Sequence, residues 1–229
     1  MVKYHIQIRS VRVQPFCPFC QRLGKFSAAD SVRRGHDETR MIELLKARLF
    51  FVPTLIWNVM LGRVLKLRHW WDEIEPNLLL GALPFAVDVP KLAQSGVTAV
   101  VNTCEEAAGP EAAYRKFGIR QFRIPTVDFT HPKLADVENA VKFIENQLHQ
   151  GGKVYVHCKA GRGRSATVVL CWLISARGMS RQQAQQLLIR RRPHVNPKIA
   201  ERQVVIDYER HWLGKTNKPH VGSQPKNYD

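Results

Sequence analysis

The fold is decided by one stretch in the second half of the chain, Val154-Tyr155-Val156-His157-Cys158-Lys159-Ala160-Gly161-Arg162-Gly163-Arg164-Ser165. Its opening residues are β-branched or aromatic, which is typical of a buried strand. Two glycines interrupt that pattern, and an apolar helix is predicted from Ser165 to Arg177, closed by Gly178. The stretch therefore predicts a strand, a short loop and a helix in direct succession, as in α/β proteins.

The loop in this stretch has the features of an anion-binding site. Backbone N–H groups that point inward ahead of a helix N-terminus carry partial positive charge and can bind phosphate. Glycines permit the tight backbone path that such a loop needs. We expect the phosphate-binding residues to be Lys159, Ala160, Gly161, Arg162, Gly163 and Arg164.

Cys158 and Arg164 are the predicted catalytic groups of this loop. The loop dipoles and Arg164 should lower the pKa of the Cys158 thiol, and the thiolate is the form that attacks. The planar guanidinium of Arg164 can hold two phosphate oxygens and stabilise the transition state, which a lysine could not do equivalently. Ser165 is expected to donate a hydrogen bond to the departing sulfur, although a serine at a helix start is also an ordinary capping residue.

A cysteine and an arginine at this spacing would be weak evidence by themselves. The competing interpretation is a strand cysteine that happens to precede a basic turn. The preceding strand, His157, the two glycines and Ser165 all agree with one mechanism, so we interpret the stretch as a site for phosphoryl transfer through a cysteine.

The rest of the chain from Leu78 alternates between strand and helix patterns. This alternation predicts an α/β fold with a central mixed sheet flanked by helices. The expected strands are 78–80, 97–101 and 121–124, the last ended by Pro125, and the expected helices are 89–94, 137–148 and 165–177. A capping box of Ser180 and Gln183 predicts a further helix that ends before Pro193. Asn196 and Pro197 are expected to open the last helix, which reaches about Leu213.

Composition limits the partners and the compartment. The chain has 229 residues with 35 Lys+Arg against 19 Asp+Glu, a formal net charge of +16 and a pI near 10.1. This charge favours anionic partners such as phosphorylated substrates, anionic lipid or nucleic acid. Five scattered cysteines do not resemble a disulfide scaffold, which favours a reducing compartment.

The chain is expected to divide into four parts. Residues 1–45 are a basic extension, residues 46–72 an apolar and basic segment, residues 73–213 the catalytic domain and residues 214–229 a polar tail. The first 29 residues carry five basic and no acidic side chains, a bias shared with mitochondrial transit peptides, although a disordered extension fits equally well. Cys17 and Cys20 form a C-x-x-C pair with no clear second pair, so a zinc site is not expected.

The apolar run from Leu49 to Gly62 is shorter than the roughly 20 residues that span a bilayer. It is flanked by basic residues and followed by two tryptophans, a pattern that suits a segment lying on an anionic membrane. The alternative is a helix packed on the core of its own domain, and both interpretations stay open at this point.

The central stretch resembles the His-Cys-x-x-Gly-x-x-Arg-Ser/Thr signature of dual-specificity protein-tyrosine-phosphatase-like enzymes. Within that superfamily the chain is similar to the mitochondrial phosphatidylglycerophosphate phosphatases over about residues 50–212. The matching motifs are Trp70-Trp71-Asp72-Glu73, Leu78-Leu79-Leu80-Gly81-Ala82-Leu83-Pro84, 102–106 and Pro125-Thr126-Val127-Asp128. The resemblance implies a dual-specificity protein tyrosine phosphatase-like fold and phosphoric monoester hydrolase activity.

The resemblance also assigns Asp128 as general acid, on a mobile loop over the phosphate. The residue pattern agrees, because Asp128 follows a strand and a proline, whereas its rival Asp136 is explained by the dipole of the next helix. His157 is expected to orient the loop by hydrogen bonding. The resemblance places Glu105 and Glu106 at the border of the site, against the alternative of a solvated turn. Cys104 departs from the family pattern and would form a protective disulfide with Cys158 if the two strand ends are adjacent.

The leading functional hypothesis is hydrolysis of phosphatidylglycerophosphate to phosphatidylglycerol through a cysteinyl-phosphate, with no metal ion or cofactor. The expected partner is a phosphorylated lipid at an anionic membrane surface, with no transmembrane span and no specific nucleic acid. The expected location is the mitochondrial inner membrane, peripherally, or otherwise a membrane facing the cytoplasm. Alternatives are a phosphoinositide or phosphoprotein phosphatase, a non-catalytic phosphate-binding protein, or a nucleic-acid-binding protein suggested by Arg190-Arg191-Arg192. That arginine run is more simply a favourable helix end or a contact to lipid head groups.

Overall fold

A mixed sheet of five strands is the centre of the fold in a computed structural model, which describes residues 42, 45 and 49–216 and the side chains up to residue 214. The strands lie in the order β1-β2-β5-β3-β4. Their bounds are β1 Trp71–Glu75, β2 Leu78–Gly81, β3 Val97–Cys104, β4 Arg120–Thr126 and β5 Lys153–His157. The pair β1 and β2 is antiparallel and the other neighbours are parallel. The predicted central mixed sheet flanked by helices is confirmed.

Seven α-helices accompany the sheet in the described residues. Helix α1 covers residues 49–59 and continues as a π-helical turn, Met60–Val64. The others are α2 Val89–Gln94, α3 Glu111–Lys116, α4 Leu134–His149, α5 Arg164–Arg177, α6 Arg181–Arg191 and α7 Gln203–Thr216, and a short 3-10 turn, Ala86–Asp88, precedes α2.

Two apolar clusters hold the helices on the sheet. The larger cluster packs α4, α5, α6 and α7 against β5 and its neighbours, and the smaller one includes residues of α2 and α3. Helix α5 is buried from Arg164 through Ile174, which is possible because its residues after Arg164 are small or apolar on all sides. A fully buried helix directly after β5 fixes the loop between them.

The helix-end signals behave as predicted at two places. Gly178 ends α5 with φ 61°, the left-handed conformation that glycine adopts without strain. Ser180 and Gln183 form the capping box of α6, with the Gln183 amide donating to Ser180 Oγ over 3.3 Å. A left-handed glycine backbone therefore decides the first boundary, and local side-chain to backbone bonds decide the second.

Two other predicted boundaries are wrong. Strand β4 continues through Pro125 to Thr126, because β4 is an edge strand and a proline there removes no required sheet hydrogen bond. The last helix begins at Gln203, not after Asn196. The Asn196 side chain instead accepts from the Lys198 amide over 2.9 Å, and Gln185 bonds both Asn196 O and the Ala200 amide. Residues 196–202 are thereby held as turns.

One side of helix α1 contacts the loop after β5, and its other sides are largely exposed. Asn58 Nδ2 donates to Lys159 O over 3.3 Å, and Lys159 Nζ donates to Thr54 Oγ1 over 2.6 Å. The exposed side chains form a broad apolar surface: Leu49, Phe50, Val52, Ile56, Trp57, Met60 and Val64. Within the described part of the chain, every helix is too short or too polar to cross a membrane.

The proposed division of the chain stays a prediction. The boundary between residues 72 and 73 falls inside β1, and the boundary between residues 213 and 214 falls inside α7, which extends to Thr216. The basic extension with Cys17 and Cys20, and the tail beyond Thr216, lie outside the described residues.

Candidate active site

The loop between β5 and α5 opens at the middle of the sheet. Strand β5 lies between β2 and β3, both parallel to it, so Cys158 stands at the carboxyl edge of the central strands. Ligands of α/β proteins bind at this edge, where loops and helix N-termini converge. Burial of α5 and β5 on both sides of the loop makes its path rigid.

Gly161 gives this loop its shape. Its φ is 65°, and a Cβ built on it would overlap the carbonyl oxygen of Gly81. The Gly161 amide donates to Cys158 Sγ over 3.2 Å, so it points into the loop. Gly163 has φ −126°, which any residue can adopt, and so only one of the two predicted glycines is required by the backbone.

A matched pair of variants tests this distinction. Gly161→Ala is expected to lower the free energy of unfolding by about 2–4 kcal/mol, from a left-handed backbone and an overpacked contact. Gly163→Ala should cost no more than about 1 kcal/mol, because the nearest atom to its new Cβ is a movable arginine terminus at 3.3 Å. Urea denaturation measures both, and equal losses would contradict the assignment.

Arg192 braces the loop from behind, a role that the sequence analysis missed. Its Nε and Nη2 donate to the carbonyls of Gly161 and Ala160 over 3.0 and 3.2 Å, and its Nη1 pairs with Asp72. Because these carbonyls are held outward, the loop amides can point inward. Arg192 does stand at the end of α6, as the helix-end interpretation has it, but a lipid contact is wrong for this residue, which is 1% exposed.

The Cys158 sulfur lies under the loop in surroundings that favour its thiolate. Burial raises the pKa of this thiol, but the Arg164 guanidinium, the Ser165 hydroxyl and the backbone amides of Ser165 and Arg162 outweigh burial and bring the pKa down to about 7. The Ser165 hydroxyl donates to the sulfur over 3.2 Å. A substantial fraction of the thiolate therefore exists at neutral pH.

The pH dependence of Cys158 alkylation by iodoacetamide tests the role of Ser165. The thiolate is the reactive form, so the rate should rise with pH around a midpoint of about 7. Ser165→Ala removes a hydrogen bond to the anion and should move the midpoint up to about pH 8–9. Ser175→Ala is the matched control, because this hydroxyl of α5 bonds to the Cys171 carbonyl. An unchanged midpoint in Ser165→Ala would contradict the assignment.

Arg164 is anchored through one end of its guanidinium. Nη1 donates to Glu106 Oε2 over 2.8 Å and to Thr126 O over 2.7 Å. Nη2 is buried, lies 3.0 Å from Asp128 Oδ1 and has no well-aligned hydrogen bond within the described structure. Burial lowers the pKa of Arg164, but the negative charges of Cys158, Asp128 and Glu106 raise it by more, so the group stays charged. Nη2 is thus paired with Asp128 by charge but keeps donor capacity for a phosphate oxygen at the loop.

Glu106 joins the loop to the segment that carries Asp128. Its side chain is 5% exposed, and its Oε1 accepts from the Asp128 amide over 2.6 Å while Oε2 binds Arg164. Asp128 in turn pairs with Arg164 and with Lys159 Nζ. Glu106 therefore positions both groups, and the interpretation of this glutamate as part of a solvated turn is wrong.

Other predicted site residues lie apart from this network. Glu105 is bonded to Thr126 through its backbone amide, and Asp136 lies in the first turn of α4. His157 is fully buried, which lowers its pKa to about 3, and its ring stacks on Tyr155 with neither ring nitrogen in a well-formed hydrogen bond to a described residue. The ring packs on Tyr155 and lies close to the Cys158 backbone, and the role of His157 in orienting the loop stays a prediction.

Cys104 stands near Cys158, as expected from the adjacent ends of β3 and β5, and both cysteines are free thiols. Burial raises the pKa of Cys104 well above its ordinary value, so it is protonated at neutral pH. The protective disulfide stays a prediction.

A cavity of about 430 Å³ opens above the loop. Its lining includes Cys158, Asp128 and Arg164, together with Thr54, Trp57 and Asn58 of α1 and with Arg202 from the turn before α7. Within the described residues, no three histidine, cysteine or carboxylate side chains are grouped as metal ligands. The sequence marked the α1 segment as apolar and basic-flanked, but gave no signal that α1 or Arg202 lines the cavity, because both come from segments distant from the loop.

An ionisable sulfur beneath inward amides can attack a phosphorus atom, and the nearby guanidinium can neutralise the oxygens around it. This fold and cavity define a cysteine-dependent phosphatase, whose reaction passes through a cysteinyl-phosphate. The family model of the dual specificity phosphatase catalytic domain matches residues 78–211, and the chain belongs to this family.

Known phosphatases are similar to this chain in sequence and in structure. The chain is 39% identical over 180 residues to phosphatidylglycerophosphate phosphatase PTPMT2 of Arabidopsis thaliana, covering 77% of this chain and 79% of that protein. It is 33% identical to phosphatidylglycerophosphatase and protein-tyrosine phosphatase 1 of Mus musculus, covering 75% of this chain and 94% of the mouse protein. A crystal structure of PTPMT1 in complex with PI(5)P is similar with a TM-score of 0.60 and 30% identity, covering 65% of this chain and 99% of the other.

Proposed function

We propose that this protein hydrolyses the terminal phosphate of phosphatidylglycerophosphate, giving phosphatidylglycerol and inorganic phosphate. The observation that carries the proposal is the cavity wall, in which Thr54, Trp57 and Asn58 of the largely apolar helix α1 lie beside Cys158. A lipid whose phosphate enters the loop would place its remaining part next to this helix. The names of the Arabidopsis and mouse relatives support the same substrate.

In the proposed first step, the Cys158 thiolate attacks the phosphorus atom and the bond from phosphorus to the glycerol oxygen breaks. Asp128 gives its proton to the leaving alkoxide. Arg164 Nη2 and the loop amides hold the three remaining phosphate oxygens, so that no metal ion or cofactor enters the scheme. The products of this step are the alcohol and a cysteinyl-phosphate.

In the second step, a water molecule attacks the cysteinyl-phosphate. The Asp128 carboxylate accepts a proton from this water while the bond from sulfur to phosphorus breaks. The Ser165 hydroxyl, 3.2 Å from the sulfur, stabilises the departing thiolate. Inorganic phosphate then leaves and the enzyme regains its starting protonation.

The acid role of Asp128 is tested by Asp128→Asn with two leaving groups. With an alkyl phosphate such as glycerol 3-phosphate, kcat should fall by about 10²–10⁴-fold, because the alkoxide needs a proton. With p-nitrophenyl phosphate the loss should be smaller, since p-nitrophenolate leaves without one. Asp136→Asn, in the first turn of α4, is the control and should change neither rate. Equal losses with both substrates would assign Asp128 a different role.

We also propose that α1 places the protein on an anionic membrane. Leu49, Val52, Ile56 and Met60 recur at helical spacing on one exposed stripe, and Arg63, Lys66 and Arg68 follow. Apolar side chains beside cations suit the surface of a bilayer with negative head groups. The mitochondrial inner membrane is the proposed location, and a membrane facing the cytoplasm is the alternative.

A second candidate substrate is a phosphoinositide. Lys159 and Arg162 place two cations in the phosphate loop, and the similar crystal structure of PTPMT1 holds PI(5)P. The same loop, nucleophile and acid would serve both lipids, which differ in the alcohol that leaves.

The decisive experiment compares three substrates at equal phosphate concentration: phosphatidylglycerophosphate in vesicles, phosphatidylinositol 5-phosphate in vesicles and a soluble phosphotyrosine peptide. The expected order of kcat/KM follows that sequence. A preference for phosphatidylinositol 5-phosphate would favour the second candidate, and a preference for the peptide would contradict both.

Co-sedimentation with vesicles tests whether α1 binds an anionic membrane. The protein is expected to sediment with phosphatidylglycerol vesicles but not with neutral ones.

A further inference from the structure

Arg202 reaches the phosphate loop from outside it. It ends the turn before α7, and its Nη1 donates to Thr167 Oγ1 over 2.8 Å. Its guanidinium lies over Gly163, so that a Cβ built there would be 3.3 Å from Nη2 and 3.9 Å from Nη1. No carboxylate of the described residues forms an ion pair with Arg202. A half-buried guanidinium therefore faces the cavity with unused charge and donors.

Two more arginines lie on the same cavity. Arg162 donates from Nε to the His194 carbonyl over 2.7 Å, and Arg68 comes from the segment between α1 and β1. Burial lowers the pKa of Arg162, and the neighbouring charge of Arg68 lowers it further. Neither has a carboxylate partner in the part of the chain that the structure describes. Like charges gathered without an acid are unfavourable until an anion binds between them.

Cationic side chains outnumber acidic ones around the cavity. Five cationic side chains line it, against a single carboxylate: Arg68, Lys159, Arg162, Arg164 and Arg202, with Asp128. Lys159 and Arg164 already contact Asp128 and lie nearest the reaction. A phosphate monoester brings a charge of roughly −1.5 to −2. The two inner cations are already paired with acidic groups of the protein, Asp128 and Glu106, whereas the three outer arginines have no carboxylate partner among the described residues and remain for the anionic groups of the substrate.

We infer that Arg68, Arg162 and Arg202 form a second anion subsite that binds the phosphodiester group of the substrate while its phosphomonoester occupies the loop. This inference rests on the proposed function, because phosphatidylglycerophosphate carries both groups, as a phosphoinositide monophosphate does. Guanidinium groups suit the subsite, since each can donate two parallel hydrogen bonds to phosphate oxygens. The subsite would select lipids with two phosphates over simple monoesters.

The test uses two soluble substrates without acyl chains, so that membrane binding plays no part. Glycerophosphoglycerol phosphate has both the diester and the monoester, and glycerol 3-phosphate has only the monoester. The measured quantity is the ratio of kcat/KM for the first to that for the second. In Arg202→Gln this ratio should fall by about 10–100-fold, the worth of a charge-assisted bond to phosphate, mainly through KM.

Two further variants make the result specific. Arg202→Lys keeps the charge and should recover part of the ratio, and Arg210→Gln, on an exposed face of α7, should leave the ratio at its wild-type value. If Arg202→Gln lowers both substrates equally, or neither, the subsite is overturned. Failure of the proposed function looks different: the wild-type enzyme would then prefer the phosphotyrosine peptide to vesicle-borne lipid, whatever the effect of Arg202.

Discussion

A Cys158→Ser variant is expected to lose kcat by about 10⁴-fold or more, because it removes the group that forms the covalent bond to phosphorus. A serine hydroxyl would need a base to ionise it. The adjacent imidazole, His157, is buried and stacked on Tyr155, and its ring forms no hydrogen bond with the side chain of residue 158. The thiol needs no base, since its surroundings alone bring its pKa to about 7.

The loop should survive this substitution. Arg192 holds the loop carbonyls outward, Glu106 and Thr126 hold Arg164, and a serine oxygen can accept from the Gly161 amide in place of the sulfur. Inorganic phosphate should therefore inhibit the wild type and bind Cys158→Ser with similar affinity. Cys171→Ala is the control for loss of a buried thiol elsewhere, within α5 and facing the larger apolar cluster, and it should retain kcat. Undiminished phosphate release by Cys158→Ser would remove Cys158 as nucleophile and with it the proposed mechanism.

An Arg164→Lys variant is expected to lose kcat by about 10³-fold while keeping the positive charge. Arg164 binds Glu106 and Thr126 with Nη1 and presents Nη2 to the loop. An ammonium group is a single point of charge and cannot hold both the anchor and the phosphate. The loss of kcat in Arg164→Lys therefore measures what the guanidinium geometry contributes beyond its positive charge.

Alkylation of Cys158 separates these two contributions. The charge of Arg164 is the main influence that lowers the pKa of Cys158, so the alkylation midpoint in Arg164→Lys should stay near that of the wild type. Arg177→Lys, at an exposed ion pair with Glu75, is the matched control and should keep full activity. A loss below tenfold in Arg164→Lys would show that charge alone suffices.

The central motif could be predicted from sequence because its parts are consecutive. Strand, loop and helix follow each other between Val154 and Arg177, so local patterns were enough to place the sulfur, the amides and Arg164 at one point. The helix ends at Gly178 and Ser180 were predictable for the same reason. The two wrong boundaries depended on distant information: Pro125 is tolerated because β4 lies at the sheet edge, and Asn196 is held by Gln185 of another helix.

The residues around the motif could be predicted only in part. Asp128 and Glu106 were candidates through resemblance, but the bond that joins them is a contact between two loops far apart in the chain. Arg192 was misinterpreted because its extended backbone, φ −139°, turns its side chain inward, away from Arg190 and Arg191. Nothing in the local pattern distinguishes these three arginines.

The sequence by itself determined the chemistry, since a cysteine, an arginine and a loop of amides within one strand–loop–helix unit need no distant partner to be recognised. Tertiary structure alone decided what surrounds that chemistry. It places Arg192 against the loop carbonyls, Glu106 between Arg164 and the Asp128 amide, and α1 and Arg202 along the cavity. The physical reason is that backbone conformation and helix ends follow from near neighbours. The positions of long side chains around a cavity instead follow from how separate helices pack on one sheet.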